Sequence, residues 1–162
     1  DATLNQAKKI APEIDFAMPT TKGGLRNDIA KGDITVSNVF ELMPFENELV
    51  LFTLKGEDVL KLINYIAVSG GQPVASIKLT ISAKTPKNII INGKAFDINQ
   101  SYKVLTSDYI ASGGDDAQGF ATPIAKKVLG LKVRDALLNE VAEINANGKK
   151  VNAKLDGRIT AD

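Results

Sequence analysis

The stretch ELVLFTL, Glu48 to Leu54, constrains the fold most. It is rich in β-formers and almost wholly apolar, the pattern of a central strand buried on both faces. Gly56 follows at once and opens a helix with Val59, Leu60, Leu62, Ile63, Ile66 and Ala67 on one face, stopped at Ser69-Gly70-Gly71. A strand buried on both faces and a strongly amphipathic helix beside it require a real core. A chain of 162 residues can supply one, since a domain of that size buries roughly two-thirds of the surface its unfolded chain exposes.

The remaining elements fall around this pair. Leu4, Ala7, Ile10 and Ala11 have helical spacing, with Pro12 as the stop, and IDFAM (Ile14 to Met18) alternates as a half-buried strand. Ser37 is the expected cap of a helix with Val39, Phe40, Leu42 and Met43 on its apolar face, ended by Pro44. SIKLTIS (Ser76 to Ser82) puts Ile77, Leu79 and Ile81 on one side of a strand, and Asn92-Gly93 marks a hairpin. YKVLTSD (Tyr102 to Asp108) is a further strand. Beyond Gly130, KVRDALLNEVAEI is a helix with Val133, Ala136, Leu137, Val141 and Ile144 facing inward; Asn147-Gly148 breaks it, and LDGRIT forms a short last strand. With a hairpin and no regular βαβ alternation, the expected class is α+β: one domain, a mixed or antiparallel sheet and packed helices.

The chain has no histidine and no cysteine, which excludes His-based triads, His-ligated zinc, disulfides and thiolate chemistry. A formal charge of +1 without a cluster of Lys and Arg argues against nucleic acid as a partner. No apolar run approaches the roughly 20 residues that cross a bilayer, so no membrane-spanning segment is expected.

Four patches carry the functional signal: GGLR (Gly23 to Arg26), MPFEN (Met43 to Asn47), SGGQP (Ser69 to Pro73) and SDYIASGGDDAQGF (Ser107 to Phe120). Each sets a glycine pair, an aromatic ring or a guanidinium at the end of a regular element, where a rigid scaffold can present function on a loop. None is a Walker or Rossmann pattern, and taken singly each glycine pair reads as a turn. Asp115 and Asp116 are adjacent, so their side chains diverge and a shared metal is not expected.

Taken together and in order, GGLRNDIAKGDITVSNVFELMPFENELVLFTLKGEDV and INGKAFDINQSYKVLTSDYIASGGDDAQGF resemble the C-terminal domain of the 5′-nucleotidases, a family of metallophosphoesterases. The resemblance covers nearly the whole chain. It implies a domain over residues 1–162 that is an excised fragment, lacking the start of its first helix and the N-terminal domain whose two divalent metal ions perform hydrolysis. It implies no cofactor in this chain. Carried over by motif, Phe45 and Tyr109 match the aromatics that sandwich the base, a contact worth about 1–3 kcal/mol per base. Asn47 matches an asparagine at the base edge, Asp115 the aspartate on the ribose hydroxyls, and Arg26 an arginine directed at phosphate. Gly70 or Gly71 stands where backbone approaches the base. Thr21 takes the place of the usual asparagine before the first glycine pair, Glu46 that of a common glycine, and GGDDAQGF that of GGDGY or GGDGF. Tyr109 stands where phenylalanine is usual, so its ring is expected to supply the whole contact.

The resemblance therefore implies the substrate-recognition half of a hydrolase of nucleotide catabolism. This chain would bind and not catalyse, its partners being a nucleotide and its own N-terminal metal domain, in a periplasmic, secreted or cell-surface location. The alternatives are a stand-alone nucleoside-binding or structural module, and the same domain of a 2′,3′-cyclic-nucleotide phosphodiesterase or UDP-sugar hydrolase.

Overall fold

A computed structural model describes residues 1–162. The apolar strand of the sequence is β2 (Glu48–Lys55). It lies inside a four-stranded sheet, flanked on one side by β6 (Ser101–Ser107) and on the other by β7 (Ala125–Lys132), both antiparallel to it. The edge beyond β6 is taken by β1 (Phe16–Met18), which runs parallel to β6. Alternate residues of β2 serve two cores. Val50, Phe52 and Leu54 pack with Val59, Leu62, Ile63 and Ile66 of α3 (Gly56–Val68), whereas Leu49 and Leu51 pack with Leu4 and Ala7 of α1 (Ala2–Lys8) and Val133 and Ala136 of α5 (Val133–Ala146). Cover on both faces is why β2 carries no polar alternation. Each fully buried large apolar side chain contributes about 1.5–3 kcal/mol.

The expected mixed sheet is in fact two sheets. The second has the order β5-β4-β3-β8, formed by β3 (Ile77–Ser82), β4 (Thr85–Ile91), β5 (Lys94–Ala95) and β8 (Ile159–Ala161). Ile77, Leu79 and Ile81 face the core shared with α3, as their alternation predicts. Asn92 and Gly93 take φ 49° and 76°, the left-handed pair of a type I′ hairpin turn. A second tight turn, Ala83-Lys84, joins β3 to β4 without any turn signature in its residues.

Several local expectations shift. The first helix stops at Lys8, before Pro12, and Ile10 is exposed. Strand β1 is buried on both faces because Phe16 and Met18 pack into the core shared with α3 and Ala17 into the core of α1 and α5, while β6 and a bridge from Ala17 to Ala75 pair its edges. Helix α2 (Val36–Leu42) is capped by Thr35, not Ser37: the Thr35 hydroxyl accepts from Asn38 N, and the Asn38 side chain accepts in return from Thr35 N. Phe40 turns away from the core, its ring facing Arg134. Strand β7 had no counterpart in the sequence reading.

Candidate functional site

Register brings the four patches to one end of the central sheet. Met18 of β1 lies beside Thr106 of β6, and Leu49 at the start of β2 lies beside Ser107 at the end of β6. The chain that leaves β1, the chain that enters β2 and the chain that leaves β6 therefore emerge together. The end of α3 joins them through Lys22, whose backbone N–H donates to Gln72 (2.9 Å) and whose ammonium donates to the Gly70 carbonyl (3.1 Å).

After β6 the backbone enters the short helix α4 (Asp108–Ala111), with Ser107 as its cap. Asp108 Oδ1 accepts from the N–H of Tyr109 (2.7 Å), from the Asn47 amide (3.1 Å) and from Glu48 N (3.2 Å), tying the MPFEN loop to the loop after β6. The Tyr109 ring lies over Gly114, where a Cβ would come within 2.5 Å of ring carbon. The second glycine of this pair is thus required by contact with the ring. Gly119 returns the chain to the core with φ +105° against the Asp58 carbonyl, and Phe120 then packs edge-on to Phe52 at 5.3 Å between centroids. This anchor holds the loop end despite the substitution of GGDDAQGF for the usual shorter motif.

Asp115 is the centre of the arrangement. Its φ of 53° is left-handed, a conformation that aspartate tolerates better than most residues. Its Oδ1 accepts from the Tyr109 hydroxyl at 2.9 Å, and its Oδ2 accepts from the Thr21 hydroxyl. Thr21 is only 3% exposed and also accepts from Gly24 N, so it braces Asp115 from beneath and offers little surface of its own. The Tyr109 hydroxyl has a task in holding Asp115 that phenylalanine could not perform, separate from the contact expected of its ring. Its pKa is raised, first by the hydrogen bond to Asp115 and then by partial burial.

Of the other positions from the sequence, Arg26, Phe45 and Gly70 are exposed, Asn47 is half-buried and Gly71 is buried. Phe45 and Tyr109 are 41% and 48% exposed, large aromatic surface left open to solvent, and neither ring is stacked on another aromatic side chain. Arg26 is exposed, donates to the Gly23 carbonyl (3.2 Å) and is in no ion pair. Asn47 has its amide N engaged with Asp108. Gly70 and Gly71 end α3 in a Schellman motif, with Gly71 N to Ile66 O (2.8 Å) and Gly70 N to Ala67 O (3.0 Å). Their positive φ values of 70° and 102° account for both glycines on structural grounds. Beside them, Gln72 donates to the Tyr65 hydroxyl (3.4 Å), whose pKa is raised by burial and then by the charge of Asp115. Gln72 stood inside the SGGQP patch and could have been read there; Tyr65 sits on a helical face that looks like ordinary packing. The chain has no histidine and no three acidic side chains converge as ligands, so its residues do not fit a metal centre.

The family model described as 5′-nucleotidase, C-terminal domain, matches residues 2–122. The chain belongs to this family. The protein UshA of Yersinia enterocolitica is 37% identical over 109 residues, covering 62% of this chain and 19% of that protein. The cell wall protein Lmo0130 of Listeria monocytogenes is 26% identical over 98% of this chain and 22% of its own length. The crystal structure of the 5′-nucleotidase precursor from Thermus thermophilus superposes with a TM-score of 0.82 at 25% identity, over 99% of this chain and 34% of that one. The chain thus spans about a fifth of these curated relatives and a third of the solved one. The α+β architecture is that of the 5′-nucleotidase C-terminal domain, and no helix is long and apolar enough to cross a membrane.

Proposed function

We propose that this chain is the nucleoside-recognition domain of a 5′-nucleotidase-type phosphoesterase acting in nucleotide catabolism outside the cytoplasm. The observation that carries this reading is the Asp115 carboxylate, fixed by the Thr21 hydroxyl and by the hydroxyl of Tyr109, whose ring is open to solvent. In this reading the base stacks between Phe45 and Tyr109, the ribose hydroxyls donate to Asp115, and Arg26 meets the phosphate. Asn47 keeps its amide oxygen for the base edge while its NH₂ holds Asp108. Gly70 or Gly71 brings backbone beside the base, Gly70 being the exposed one of the two, and Thr21 acts through Asp115. Hydrolysis belongs to a separate N-terminal domain with two divalent metal ions, toward which this domain presents the phosphate.

Two stacked faces and a few half-solvated hydrogen bonds leave a small surplus over the cost of ordering the ligand. Adenosine and AMP are expected to bind the isolated chain in the high-micromolar to millimolar range, about −4 to −6 kcal/mol. Chemical-shift titration should show Phe45→Ala and Tyr109→Ala weakening both ligands several-fold, and Arg26→Ala weakening AMP more than adenosine. Parent-like adenosine binding by both aromatic variants would overturn the sandwich.

A further inference from the structure

Arg134 occupies a position that helix stability does not favour. It is the second residue of α5, where a cation opposes the helix dipole, and it is only 6% exposed. Its Nε is buried without a partner. Burying a guanidinium in this way is costly even when it is paired, so the ion pair by itself is a weak reason for the residue. The rest of the side chain converges on one short segment. NH1 donates to the Pro44 carbonyl at 3.2 Å, NH2 pairs with the Glu46 carboxylate, and the guanidinium carbon sits 4.0 Å from the centroid of Phe40, at the end of the helix that feeds this segment. Lys132 holds the other oxygen of Glu46. Phe45 lies between the two gripped residues, with its own ring exposed.

We propose that Arg134 is the positioning residue for Phe45: it clamps the loop on either side of the ring, so that the exposed aromatic face is held ready before ligand arrives. The inference rests on the stacking role given to Phe45 above. A loop entered from α2 and leaving into β2 is fixed at both ends by the fold, and Asn47 is tied to Asp108 and to Val133 N; on the two residues that flank Phe45, Arg134 is the one side chain that grips both, with Lys132 reaching Glu46 alone. Arg134 lies outside the stretch that the family model matches, and it reaches the loop from 88 residues away. The Glu46 carboxylate is pushed down to about 2, first by Lys132 and then by Arg134, so the clamp remains charged across the working range.

The test uses the 162-residue chain with Arg134→Met, Glu46→Ala, Phe45→Ala and the double variant Arg134→Met/Phe45→Ala. Backbone ¹⁵N relaxation should show raised mobility at Phe45 in both clamp variants, with Tyr109 unchanged. Adenosine affinity should fall about threefold to tenfold in Arg134→Met, the scale on which ordering a mobile side chain weakens binding. In the Phe45→Ala background the same substitution should have no further effect. General destabilisation would weaken both backgrounds alike and would overturn the proposal, as would an unchanged Phe45 in the relaxation data. Should Arg134→Met fail to fold, the exposed Glu46→Ala carries the same two readouts. If Phe45 loosens while Phe45→Ala binds adenosine like the parent, the clamp stands and the stacking role falls.

Discussion

Asp115 is held in place by the fold alone. Both of its oxygens are engaged by hydroxyls, and its backbone is in the left-handed region, so the carboxylate cannot swing away without breaking two contacts. Deprotonating Tyr109 would set a phenolate against this carboxylate, and the phenol therefore holds its proton above the ordinary value. The stabilisation from this contact is complete below the usual tyrosine range and is lost as pH rises through the raised value. Asp115→Asn should bring the Tyr109 midpoint down in a ¹³Cζ titration; an unchanged midpoint would contradict the contact. Tyr109 and Asp115 were both legible as motif positions. The work of the Tyr109 hydroxyl and of Thr21 was not, because each depends on a partner that only the folded loop supplies.

At the scale of elements, the two tight turns of the second sheet make a useful contrast. Asn92-Gly93 and Ala83-Lys84 have nearly the same backbone, with φ of 49° and 76° in one and 47° and 63° in the other. Only the first has residues suited to it, since a left-handed backbone costs an ordinary L-residue about 1–2 kcal/mol. Replacing Ala83-Lys84 by Asn-Gly should therefore stabilise the chain by about 1 kcal/mol in urea unfolding; a loss of stability would mean that the two side chains make contacts worth keeping. The elements with a strong periodicity or a continuous apolar run were readable: β2, β3, β6, α3 and α5. Strand β7 was not, because as an edge strand it exposes Ala125, Lys126, Lys127 and Val128 in succession and shows no alternation to detect. Serine is the stronger N-cap residue by type, which favours Ser37, but the reciprocal bond between Thr35 and Asn38 places the cap two residues earlier.

At the scale of the whole molecule, the central sheet separates two cores, and the site sits at the sheet end that neither core seals. It offers neither histidine nor a cluster of acidic side chains that could hold metal ions to activate water. The chain alone should give no release of phosphate from AMP with Mg²⁺, Mn²⁺, Zn²⁺ or Co²⁺ added, and turnover that disappears in Asp115→Asn would refute this. The sequence by itself determined the absence of imidazole and thiolate chemistry, the class of fold and the short motifs, because each of these is written in residue type and local spacing. Tertiary structure alone decided that Thr21 and Tyr109 meet on one carboxylate, that Phe40 turns outward, and that Arg134 reaches the Phe45 loop. Those contacts follow from strand register and from left-handed backbone at a few positions, and they join residues too far apart in the chain for any local pattern to record.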